Sequence, residues 1–205
     1  AEVFWAKNAS ARIKKISRVL GPLVKPAAAV QSMDIEILKI MKRGNIKISA
    51  MEEMVEEFQD RKLKVTTDVL SGLPGESLES HLTSLRKVFD VGFDSIEVGH
   101  IRLLPGSEME GDESRKTYGL ETKYRLIAGS YGKYDEAPIF DYEESIRASK
   151  DMSVEEMHFL RIVHFFIWVF WNVGMAKPIL KWFFIQQGKN PLDIILTLIE
   201  QKERF

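Results

Sequence analysis

Two hydrophobic periods alternate along the first hundred positions. Val3-Phe4-Trp5, Ala27 to Gln31, Val65 to Leu70 and Ser95 to Leu103 are short apolar or β-branched runs that predict strands. The segments between them carry apolar residues at helical spacing. Ile13, Ile16, Val19 and Leu20 recur before Gly21, with Asn8 or Ser10 as the start signal. Asp34 is placed to cap a helix bearing Ile37, Leu38, Ile40 and Met41 that stops at Gly44. Ser49 and Glu52 form a capping-box pair ahead of Met54, Val55 and Phe58. Leu78, Leu82, Leu85, Val88 and Phe89 share one face of a further helix closing at Gly92. Strand and helix in turn predict βαβ units around a parallel sheet, an α/β architecture. Four strands in about a hundred residues make roughly half of a (β/α)8 barrel, which takes about 250. A half-barrel is expected to present two raw edges.

The pattern changes after Gly106. Gly111, Gly119, Gly129, Gly132 and Pro138 punctuate a polar stretch that predicts a loop-rich connection with short helices over 111–150. A helical region over 151–205 follows. Ser153 and Glu156 open a helix through His158, Ile162, Phe165, Phe166, Val169 and Phe170; a shorter apolar piece runs from Pro178 to Phe184. Asn190-Pro191 starts a last helix with Leu192, Ile195, Leu196 and Ile199. The aromatic run has only 15 residues between Arg161 and Lys177, short of the roughly 20 that a transmembrane span requires. Burial or a subunit contact is expected of it in preference to an interfacial helix with Trp168, Trp171 and Trp182 at headgroup level.

At 205 residues and 45% apolar composition the chain can bury one substantial core. The charges, 29 basic against 30 acidic, create no field that would gather nucleic acid. There is no cysteine, hence no disulfide and no thiolate ligand. The first residues lack the pattern of a secretion signal, so a cytoplasmic location is expected, with membrane association as the alternative. A strand beginning at once, without Met, predicts a preceding segment.

Ligands of parallel sheets gather outside the carboxyl ends of the strands. Gln31, Ser32, Gly72 to Glu76 and Arg102 to Pro105 all fall there. Gly72 and Gly75 would let backbone approach a flat ligand, Pro74 would stiffen the turn, and the next helix would offer free N–H groups. The plainer reading is a tight turn with Glu76 solvated near a helix dipole. The loop lacks the Gly-Lys-Ser/Thr ending of a phosphate loop and the Gly-x-Ser-x-Gly of a nucleophile elbow.

Four ordered words, Ala29-Val30-Gln31-Ser32-Met33-Asp34, Lys42-Arg43-Gly44-Asn45-Ile46, Asp68-Val69-Leu70-Ser71-Gly72-Leu73-Pro74-Gly75-Glu76-Ser77 and Arg102-Leu103-Leu104-Pro105-Gly106-Ser107-Glu108-Met109, resemble the radical S-adenosylmethionine (SAM) superfamily. The match is nearer to its cobalamin-binding branch and runs to about residue 165. The resemblance implies the third to sixth strands of a six-stranded partial barrel. It implies that Gln31 and Ser32 meet the ribose or methionine end of SAM, and that Arg43 holds the methionine carboxylate. Gly72, Leu73, Pro74, Gly75 and Glu76 would approach the adenine, with Leu103, Leu104 and Pro105 completing its slot; Asp68 would be structural. The family's cluster motif, Cys-x3-Cys-x2-Cys, and its second-strand glycine motif are absent from this chain. The 4Fe-4S cluster and cobalamin of an intact enzyme would therefore be bound by an N-terminal half elsewhere in the protein, this chain's first expected partner. The implied activity is reductive cleavage of SAM to drive radical chemistry, cobalamin-dependent methyl transfer among its outcomes, on a small-molecule or lipid-like substrate.

The histidines are less informative. His81 is expected to be solvated, and His100 is a candidate substrate contact if it faces the barrel interior. His158 and His164 are spaced too far apart for an i, i+4 metal pair. The competing reading is a non-catalytic half-barrel scaffold that binds a partner or oligomerises through its aromatic C-terminal helix. A complete-barrel enzyme lacking its first half would need an acid or base at the strand ends, and Glu97 and His100, three apart, point to opposite faces.

Overall fold

The structure, a computed structural model, describes residues 2–4, 15–16, 18–23 and 25–201. Strands β1 (Glu2–Phe4), β2 (Lys25–Gln31), β3 (Thr66–Ser71) and β4 (Ser95–His100) lie side by side in chain order, all parallel. Helices α1 (Ile35–Ile40) and α2 (Ile48–Asp60) join β2 to β3, and α3 (Leu78–Val91) joins β3 to β4. The fold is thus α/β, a partial barrel. Between β1 and β2, residues 15–16 and 18–20 are helical with Ile16, Val19 and Leu20 exposed; Trp5, Asn8, Ser10 and Ile13 lie outside the described residues.

Local chemistry sets most boundaries. The Asp34 carboxylate accepts from the amides of Glu36 and Ile37 and opens α1. Ser77 and Ser80 cap each other at the start of α3, and Gly92, at φ +88°, ends it. Helix α2 departs from expectation. It begins at Ile48 with Lys47 as N-cap, so Ser49 and Glu52 lie inside the helix and form no capping box. Helix α1 likewise stops at Met41, before Gly44.

Alternation along the strands separates two faces. Ala28, Val30, Val69 and Ile96 point to the helices and pack with Met54, Val55, Phe58, Leu85, Val88 and Phe89. The C-terminal region enters this same core. Helix α5 (Val154–Ile167) runs into a π-turn (Trp168–Asn172), followed by α6 (Lys177–Gln187) and α7 (Pro191–Glu200). They contribute Val163, Ile167, Trp171, Leu180, Leu192, Ile195 and Ile199, each large side chain stabilising by about 1.5–3 kcal/mol when fully buried. The Ser153–Glu156 capping box forms as expected. The opposite stripe of the aromatic run, with Phe165 and Trp168, is exposed, as is Trp182 on α6. No single described helix is long and apolar enough to cross a membrane, and α5 with its π-turn is bent by 90° from α6.

Two expectations fail. The stretch read as loop-rich contains α4 (Asp112–Tyr118) and then a long antiparallel hairpin, β6 (Glu121–Tyr134) and β7 (Ala137–Ala148). Its tip turns on Asp135 and Glu136 at φ +44° and +69°. Most of the ribbon is exposed on both faces, so the buried/solvated alternation that signals a strand is missing. The predicted fourth strand also divides. β4 ends at His100, and β5 (Arg102–Leu103) pairs antiparallel with β7 in a second sheet ordered β5-β7-β6.

Nor is the β4 edge raw. Asn172 accepts from Ile96 N–H through Oδ1 (2.9 Å) and donates from Nδ2 to Ile96 C=O (2.8 Å), occupying both groups as a neighbouring strand would. Trp171 Nε1 donates to Phe93 C=O (3.2 Å) and the Lys177 ammonium to Asp94 C=O. β1, at the other side, pairs only with β2 among the described residues.

Candidate functional site

At the carboxyl end of β3 the chain turns through Gly72 (φ +84°) and Gly75 (φ +78°) into α3. The turn is built around Glu76, which is buried rather than solvated. Its Oε2 accepts from the amides of Gly72 (2.8 Å) and Leu73 (3.2 Å), so these N–H groups serve the loop and are not offered to a ligand. Protein side chains explain both glycines. A Cβ at Gly72 would lie 3.0 Å from Met157 Cε, and one at Gly75 2.9 Å from Ile40 Cδ1. Leu73 is a core residue beside Ile37, Ile101 and Leu103. Pro74 is buried, whereas Leu104 and Pro105 stand exposed at the next strand end.

Sequence reasoning missed the partners of Glu76. His81 is fully buried, not solvated, and its Nδ1 donates to Glu76 Oε1 (2.9 Å). Its Nε2 lies 3.0 Å from Nε2 of His164 on α5, so one proton is shared between the two nitrogens. Burial, with His81 and His100 close by, holds the His164 pKa well below the usual histidine value. One signal was available: Glu76 and His81 occupy the positions before the N-cap and four residues into the helix, where other helices place a hydrophobic staple. Nothing in the sequence placed His164 opposite them.

His100 is not an interior residue. It has the same strand parity as Ile96 and Val98, which pack towards the helices. Its Nε2 donates to the carbonyl of Ile146 on β7, leaving Nδ1 to accept from Ser71 Oγ (3.3 Å). Burial lowers its pKa, the Ile146 bond opposing. Nε2 thus ties β4 to the hairpin and Nδ1 ties it to β3, so both ring nitrogens are engaged within the protein and not turned to a substrate.

The other face of the sheet carries Ala29, Asp68 and Glu97, directly paired across β2, β3 and β4. Gln31, at φ +59° beside an irregularity in β2, stands at its rim. Ser32 turns away: buried, it contacts Ser84 Oγ (3.3 Å) and accepts from Asp34 N–H (3.1 Å). Arg43 donates from Nη2 to the carbonyl of Ala29, while Asn45 donates to those of Val30 (3.0 Å) and Ser32 (2.7 Å). Burial lowers the Arg43 pKa and nearby Asp68 raises it. Arg43 Nε is buried and without a hydrogen-bond partner.

The sequence is similar to those of characterised proteins. The chain is 25% identical over 170 residues to the cobalamin-dependent radical SAM methyltransferase TokK of Streptomyces tokunonensis, covering 80% of this chain and 25% of that protein. It is 27% identical, with the same coverage, to 2-(S-pantetheinyl)-carbapenam-3-carboxylate methyltransferase of Streptantibioticus cattleyicolor. Over four-fifths of its length the chain is thus similar to radical SAM methyltransferases. It spans about a quarter of the length of the curated relatives it matches. Among solved structures it is similar to the archaeal Elp3 of Methanocaldococcus infernus, with TM-score 0.46 and 24% identity over 56% of this chain and 27% of that one. No protein-family profile matches.

This likeness gives the site two fit tests. A guanidinium held near the strand ends with an unpartnered, buried Nε–H suits a carboxylate acceptor such as the methionine end of SAM. A 4Fe-4S cluster does not fit: its thiolate ligands cannot come from a chain without cysteine.

Proposed function

We propose that this chain supplies one wall of a SAM pocket in a radical SAM enzyme whose cluster-binding residues lie on another segment. The observation that carries the reading is the unpartnered Nε of Arg43, whose guanidinium lies beside Ala29 of β2 and Asp68 of β3. Arg43 holds the methionine carboxylate, Gln31 faces the ribose end, and the backbone of the Gly72–Gly75 turn with exposed Leu104 and Pro105 flanks the adenine. A cluster held by that other segment would supply the reducing electron for cleavage of SAM. Residues of this chain bind and orient SAM and keep water from it. Ser32, Leu73 and Glu76 shape the pocket from behind. The outcome we favour is cobalamin-dependent methyl transfer, the activity in the name of TokK. The enzyme acts on a small-molecule or lipid-like substrate.

Isothermal calorimetry with SAM tests this, on the chain alone and on the chain joined to the part of TokK outside the matched region, reconstituted without oxygen. The joined protein is expected to bind, and Arg43→Ala to weaken binding by about tenfold or more, the value of a charge-assisted hydrogen bond. No binding by either form would favour a scaffold, and an unchanged affinity in the variant would remove Arg43 from the pocket.

A further inference from the structure

A second site lies on the helix side of the sheet. Between α1, the start of α2 and α3 is a cavity of about 590 Å3, a volume typical of small-molecule sites. Its floor is Met33, Leu38 and Met51, all buried, with Ile48 half-exposed at the mouth. Arg43 forms part of its wall, but Ala29, Asp68 and Glu97 of the open sheet face do not line it.

The polar groups around this floor share one sign. None of the cavity's lining residues is acidic, although the chain as a whole has net charge −1. Of the lining lysines, Lys39 is paired with Glu36 (2.7 Å). Lys47 and Lys87 form no ion pair among the described residues, and Lys87 Nζ reaches only the carbonyl of Met33 (3.3 Å). The N-terminus of α2, a helix of 13 residues, opens at the same place. Its N-cap Lys47 gives no side-chain acceptor and its first turn contains no acid. The first intrahelical bonds run from Ala50 and Met51 to Lys47 C=O (3.0 and 3.1 Å), so the preceding amides of Ile48 and Ser49 have no acceptor within the helix. Ile48 and Ser49 both line the cavity. An apolar floor, an uncapped helix terminus and two unneutralised ammonium groups converge on one ligand chemistry.

We propose that this cavity binds an amphipathic carboxylate, its alkyl or aryl body over Met33, Leu38 and Met51 and its carboxylate at the Ile48 and Ser49 amides between Lys47 and Lys87. The site does not depend on SAM. Methyl NMR of the 13C-methionine-labelled protein titrated with decanoate tests it. The Met33 and Met51 methyls are expected to shift saturably, while exposed Met175, outside the cavity, stays still. Decyltrimethylammonium should leave Met33 and Met51 unmoved. Lys47→Glu with Lys87→Glu should weaken decanoate binding by about tenfold or more, with buried Met54 unshifted as the reporter of an intact core. Unmoved Met33 and Met51, equal shifts with the cationic amphiphile, equal shifts at Met175, or unchanged affinity in the double variant would each overturn the proposal.

Discussion

Glu76 carries three hydrogen bonds that no solvent can replace, and the last leads through His81 to a side chain on another part of the fold. An unmade bond at a buried group costs about 1–3 kcal/mol, more when the group is charged. His164→Ala leaves His81 Nε2 without its partner and removes the side chain that ties the loop to α5. Hydrogen exchange at the Gly72 and Leu73 amides should then accelerate by about tenfold or more, while that of core strand amides changes little. Equal acceleration everywhere would mean global destabilisation, and none would mean that Glu76 holds the loop unaided. The glycine-proline turn and its neighbours at the strand ends were legible in the sequence. The direction of each side chain was not: Ser32, Leu73 and Glu76 fall at the predicted rim yet point into the protein, and beyond the staple spacing of Glu76 and His81 no local pattern encodes the docking that brings Ser84 to Ser32 and Ile37 to Leu73.

At the level of elements, helices with one buried stripe and a cap were readable to within a few residues. The hairpin was not. β6 and β7 carry Tyr124, Tyr131, Phe140 and Tyr142 in solvent, and two aromatic contacts, Tyr124–Tyr142 at 5.5 Å and Tyr131–Phe140 at 6.2 Å, stand in for a core. The π-turn was equally hidden, since nothing in Trp171-Asn172 announces that an amide side chain will occupy a strand edge. Its role predicts a variant. Asn172→Asp keeps the acceptor for Ile96 N–H but loses the donor for Ile96 C=O, setting a carboxylate against that oxygen. Urea unfolding should show a loss of about 1–3 kcal/mol, and an unchanged midpoint would remove Asn172 from the stability of this edge.

For the whole molecule, acid is the informative stress. His164 and His100 both have lowered pKa values. The fold thus resists protons that the unfolded chain accepts below about pH 6.5, and stability falls from there downwards. Glu144 acts over a lower range. The bidentate bond from Arg115 (2.7 and 2.7 Å), opposed by burial and helped by Thr122, lowers its pKa to about 2 from 4.5. A lowered carboxylate contributes fully above the unfolded value and loses its contribution as pH falls through 4.5 towards 2, here on the order of 3 kcal/mol. Urea midpoints should fall in two stages, first between about pH 7 and 5 and again below about pH 4.5. A flat profile over the first interval would contradict the histidine environments.

The sealed β4 edge gives the molecule a direction. With Asn172, Trp171 and Lys177 occupying the backbone of Phe93, Asp94 and Ile96, the sheet is terminated where its last parallel strand ends. Among the described residues the open side of the sheet is then the one beside β1, as on a zip with a stop at one end. A further strand joining this sheet would engage from that side and could not be exchanged for one inserted at the other. The segment that docks the helical region onto the sheet therefore also sets the side from which the sheet could be extended.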